Sequence, residues 1–142
     1  MIAGPESPPA SNASTESTRS AMDVISGWDL GSDRIQLAST PLRFFNAKLV
    51  SGVDLNAAIS SLFTDVNRAT NSPGNQAMQA RDAVIFSYGA SLSTRSTYLM
   101  VAAGGSENAS NDLFIRLSGS AFTTITNGAA GEILSPSSNY LF

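Results

Sequence analysis

The chain has 142 residues, 42 % of them hydrophobic, with eight basic and eleven acidic side chains and a net charge of −3. That length makes one domain, able to bury roughly 68–70 % of its unfolded surface, and no run approaches the ~18 apolar residues a membrane span needs. Few and scattered cations argue against nucleic acid as a partner, because phosphate binding rests on clustered Lys and Arg.

Two absences narrow the chemistry. With no Cys there is no disulfide, thiolate nucleophile or zinc thiolate site. With no His, the usual general base and the commonest transition-metal ligand are missing as well. The expectation is a protein that is not an enzyme, with no catalytic residues, no cofactor and no metal. Charged residues make up only 13 % of the chain, about half the usual share, and Ser, Thr, Asn and Gly replace them. A surface so weakly self-repelling suits a protein packed against others, and equally an extracellular β-protein.

In chain order, residues 1–21 are rich in Pro, Ser and Thr and nearly devoid of apolar side chains. Alone, such a stretch cannot offset its chain entropy by burial, and its first 20 residues span about 65 Å when extended. The opening Met1-Ile2-Ala3-Gly4-Pro5-Glu6 has neither the basic nor the apolar region of a signal peptide. An arm of this kind becomes ordered when a neighbouring chain holds it. Its candidate partner-binding residues are Ile2, Pro5, Pro8, Pro9, Asn12 and Arg19.

The domain is expected over 22–142. Val24 and Ile25 lead to Trp28, Asp29 to Asp33 make a turn, and Ile35 and Leu37 alternate as in a strand that Pro41 ends. Phe44, Phe45, Leu49 and Val50 predict a further short extended segment. Residues 54–67 predict the one helix. Leu55, Ala58, Ile59, Leu62 and Val66 share a face that should pack on the sheet, Phe63 widens it, and Asp54 is placed to cap the N-terminus. Residues 68–79 read as a loop built on Asn71-Ser72-Pro73-Gly74-Asn75.

Four strands follow: Ala83–Tyr88, Thr97–Ala103, Asp112–Ser118 and Phe122–Thr126, separated by Gly-, Ser- and Asn-rich turns. That spacing points to an antiparallel meander or sandwich rather than βαβ units. Tyr98 to Val101 are apolar on both faces and should lie centrally, while Arg116, set among apolar neighbours, should face outward. The fold class is therefore mainly β, an antiparallel β-sandwich or half β-roll with one short α-helix.

Asp23-Val24-Ile25-Ser26-Gly27-Trp28-Asp29-Leu30-Gly31-Ser32-Asp33-Arg34-Ile35-Gln36-Leu37 resembles the opening of the terminal module of RTX and serralysin-type secreted proteins. Asp112-Leu113-Phe114-Ile115-Arg116-Leu117-Ser118-Gly119 resembles that module's closing strand. The helix and the strand pair between them are similar to the "bluetail" C-terminal domains of cyanobacterial surface proteins. The resemblance spans roughly residues 22–125 and implies a β-sandwich or half β-roll with no catalytic residues. The family's calcium-binding nonapeptides are missing, so it carries no metal array here.

Among individual residues, Asp29 and Asp33 flank a Gly-Ser turn, where accepting backbone N–H bonds competes with offering oxygens to a hard cation. Trp28 reads as a core plug. Asp82 and Glu107 are isolated in sequence, and Asn12-Ala13-Ser14 and Asn108-Ala109-Ser110 match the glycosylation acceptor pattern by chance. The leading functional expectation is a structural assembly protein that resembles a capsid cement, or decoration, protein of a tailed phage, a cyanophage by the bluetail likeness. Its partners would be the major capsid protein or copies of itself, with a homotrimer as the expected oligomer and the virion surface as its place. The alternative is a secreted or cell-surface RTX-like adhesion module exported by a type I system. A sugar-binding β-sandwich is a more distant third.

Overall fold

The computed structural model describes residues 22–27, 41–68, 74–89, 95–107, 112–119 and 129–132. These residues form one six-stranded sheet and one helix: β1 (Asp23–Ile25), β2 (Arg43–Leu49), α1 (Leu55–Leu62), β3 (Asp82–Tyr88), β4 (Ser96–Val101), β5 (Leu113–Leu117) and β6 (Gly131–Glu132). The spatial order is β1-β5-β4-β3-β2-β6. The mainly β class with one short helix therefore holds, and β3, β4 and β5 form the expected antiparallel meander.

Two features depart from the wholly antiparallel expectation. β2 pairs parallel with β3, and β1 pairs parallel with β5. For β2 and β3 the physical reason is the helix: a chain that leaves the end of β2 and returns through α1 re-enters the sheet in the same direction, which a tight turn cannot do. The β2–α1–β3 segment is thus a βαβ unit beside a meander, and the sheet is mixed. The expected strand Phe122–Thr126, the Asp29–Asp33 turn and the Ile35–Leu37 alternation lie outside the described residues.

The helix covers one face of the sheet. Ala58, Ile59 and Leu62 are fully buried against Phe45, Val84, Phe86, Met100 and Phe114. The rings of Phe86, Tyr98 and Phe114 close a triangle with centroids 5.5, 6.2 and 5.3 Å apart, tilted or edge-on as their quadrupoles favour. The opposite face is equally buried, at Phe44, Ile85, Leu99, Ile115 and Leu117. Burial on both faces explains why Tyr98 to Val101 carry no alternation, and β4 does lie centrally. Arg116 is exposed, as its setting predicts.

The Asp54 cap forms as expected, its carboxylate accepting the Ala57 N–H at 2.8 Å. The helix is shorter than the predicted 54–67, ending at Leu62. The Phe63 and Thr64 N–H groups tighten onto Ser60 and Ser61 carbonyls, and the Val66 N–H turns away to the Gln76 carbonyl at 2.9 Å. Asn67 then holds the loop from its other side, accepting from the Gln76 N–H and donating to the Gly74 carbonyl. Phe63 and Val66 still reach the core from this turn, so their helical spacing was a true burial signal and a false boundary signal.

β2 carries a bulge between Asn46 and Lys48. The Asn46 carboxamide accepts the Lys48 N–H at 3.0 Å and donates to the Ala129 carbonyl, while Lys48 takes a left-handed φ of 57°. At the end of β4 the Ala103 N–H leaves the ladder for the Asp112 carboxylate at 2.8 Å, so the strand stops at Val101 rather than at Ala103.

Candidate functional site

Five of the carboxylates among the described residues have partners in the fold. Asp82, 1 % exposed, accepts Arg43 Nε at 2.9 Å and the Gln79 N–H at 2.7 Å, and pairs with Arg43 Nη2 as well. Asp54 caps the helix, Asp112 closes the β4–β5 connection, Glu107 accepts the Ser60 hydroxyl, and Asp65 lies 3.7 Å from Arg68. The hydrogen bonds that Arg43 donates to Asp82, against partial burial and ahead of charge, raise its guanidinium above the ordinary arginine value. Asp82 and Glu107, isolated in sequence, have therefore found partners in space. Among the described residues no group of three or more His, Cys, Asp or Glu converges on a point where a metal ion would sit. No helix among them is long and apolar enough to cross a membrane.

What stands open is a groove of about 300 Å³ where β2 and β3 end, lined by Leu49, Ser51, Gly52, Val53, Tyr88 and Gly89. Its construction starts with the β2–β3 ladder, which continues past β2 through the Val50 N–H bond to the Ser87 carbonyl at 2.9 Å. The chain then bends sharply at Gly52 to start the helix. A Cβ on Gly52 would lie 2.7 Å from the Ala58 nitrogen and 3.0 Å from the Asp54 carbonyl oxygen, so only glycine lets the connection pass so close to the first turn. The Tyr88 hydroxyl donates to the Gly52 carbonyl at 2.9 Å, which fixes the ring as one wall.

Val53 sits on the rim with 96 % of its surface exposed, and Leu49 is 45 % exposed. The groove therefore has mainly apolar walls, with two hydroxyls in its lining, that of Tyr88 engaged with the Gly52 carbonyl and that of Ser51. Sequence reasoning passed over it, because Ser51-Gly52-Val53 reads as an ordinary connection. The available signal was Val53 itself, a β-branched apolar residue between a glycine and a helix cap, where core packing has no use for it.

The arm residues Ile2, Pro5, Pro8, Pro9, Asn12 and Arg19 lie outside the described residues, as do Trp28, Asp29 and Asp33 and both glycosylation-type triplets. No family model, no curated protein and no solved structure matches this chain.

Proposed function

We propose that this protein is a structural assembly component that works by packing against other protein chains. The observation that carries the reading is the open apolar groove, with Val53 and Leu49 presented to solvent beside Tyr88. Support comes from the low charge of the chain and from carboxylates committed to closing turns and strand ends. In its concrete form the reading is a decoration subunit of a tailed-phage capsid. The groove takes an apolar segment of a lattice protein or of a second copy, and the arm at residues 1–21 reaches a neighbour.

Sedimentation velocity over a range of concentrations, together with occupancy of undecorated capsids, tests this for the full chain, for Val53→Asp and for a chain lacking residues 1–21. The full chain is expected to self-associate or to occupy the particles. Val53→Asp should reduce either activity at least about tenfold, since a charge in an apolar contact costs more than 1.4 kcal/mol unless it finds a partner. A full chain that stays monomeric and binds no particle overturns the proposal.

A further inference from the structure

At the other end of the meander a second pocket, about 120 Å³, opens where β4 begins and β5 ends. Arg95 and Arg116 both line it, together with Ser96, Thr97, Ser118 and Gly119. Among the described residues no carboxylate lines it, although the chain as a whole carries a net charge of −3. Two guanidinium groups sharing a small pocket repel one another, and neither of the two ion pairs described above, Arg43–Asp82 and Asp65–Arg68, involves them.

One further observation points to a ligand. The Nε of Arg95 is buried and has no hydrogen-bond partner, the one such side-chain atom among the described residues. A buried charged donor left unpaired is costly and rare, and the Nε–H together with one Nη–H is the fork that grips two oxygens at once. The frame around it is fixed. Arg116 sits in β5 between Tyr98 of β4 and Val24 of β1, and the Ser118 N–H is anchored to the Ile25 carbonyl at 2.8 Å.

We infer that this pocket binds a small oxyanion, a phosphate or a carboxylate, held by the Arg95 fork and neutralised by Arg116. The shared chemistry is a pair of acceptor oxygens on one centre. Ser96 and Ser118 line the same space and bring hydroxyl donors to it.

The test is a titration of the ¹⁵N-labelled full chain with inorganic phosphate and, separately, with acetate, following the arginine Nε–H resonances, with sodium chloride at matched ionic strength as the control. A saturable shift of the Arg95 Nε–H with phosphate alone identifies a phosphate site, and with acetate alone a carboxylate site. Arg95→Lys keeps the charge and loses the fork, and should weaken binding about tenfold or more. Arg116→Gln removes the second charge and should do the same, with its shift read on the Arg95 Nε–H. Both residues lie at the surface or partly so, and unchanged far-ultraviolet circular dichroism establishes that each variant is folded. The proposal is overturned if neither anion gives a saturable shift, if chloride reproduces it, or if the variants bind as the wild type does.

Discussion

Replacing Asp82 with Ala tests the most consequential polar contact in the fold. Asp82 opens β3 opposite Arg43, its register partner at the start of β2, and lies 1 % exposed. Its loss removes two bonds to the guanidinium and the bond from the Gln79 N–H. Breaking one side of a buried pair costs about 3–5 kcal/mol, because the other charge is left without compensation. Here the Arg43 side chain keeps 23 % exposure and a bond to the Ala77 carbonyl, so water recovers part of that. The expected loss is therefore about 2–4 kcal/mol, or roughly 8–16 °C in Tm for a domain of this size.

Asp82→Asn should cost nearly as much, since its NH₂ would face guanidinium donors. Arg43→Ala also gives up the stacking of the guanidinium 4.9 Å over Phe45, so the double variant is needed to isolate the pair. Urea unfolding followed by circular dichroism supplies the four free energies. Because the Arg43 pKa is raised in the fold, its contribution is complete below the ordinary arginine value and is lost only above the raised one. The arginine's side of the pair therefore adds no pH dependence between neutrality and about pH 10. A coupling energy below about 0.5 kcal/mol would place the pair with exposed surface bridges and refute the reasoning.

Gly52→Ala should destabilise by about 1–3 kcal/mol in the same assay, because a Cβ 2.7 Å from the Ala58 nitrogen meets backbone that cannot yield cheaply. Asp54→Ala should cost about 1 kcal/mol through the lost cap on the Ala57 N–H, with a matching small drop in ellipticity at 222 nm. Wild-type stability after both changes would mean that the start of α1 does not hold the groove in place.

The local signals in the sequence were legible where short-range chemistry decides. Asp54 announces the helix, Leu55, Ala58, Ile59 and Leu62 give its buried face, and the β3–β4–β5 meander follows from apolar runs broken by turns. Direction was not legible. Whether a strand pairs parallel or antiparallel depends on where the chain returns after a crossover, and Phe44 to Leu49 read the same either way. The end of α1 was hidden for a similar reason. Val66 keeps helical spacing, yet its N–H is claimed by Gln76, ten residues on across a loop. Asp82 and Arg43 lie 39 positions apart, and only the parallel register of β2 on β3 makes them neighbours.

The same long-range logic separates structural charge from charge that is free to act. In a chain with only nineteen ionisable Asp, Glu, Lys and Arg side chains, a charge is most easily explained where a backbone group or an opposite charge meets it. Asp54, Asp82, Asp112 and Arg43 all meet that condition at a helix start, a strand start or a turn. Arg95 and Arg116 do not: they share a pocket that no carboxylate among the described residues lines, and one of them buries an unpaired donor. A folding role does not account for placing two cations there, since either one replaced by a neutral side chain would relieve their repulsion. The oxyanion inferred above, bound from outside the chain, would account for placing them together.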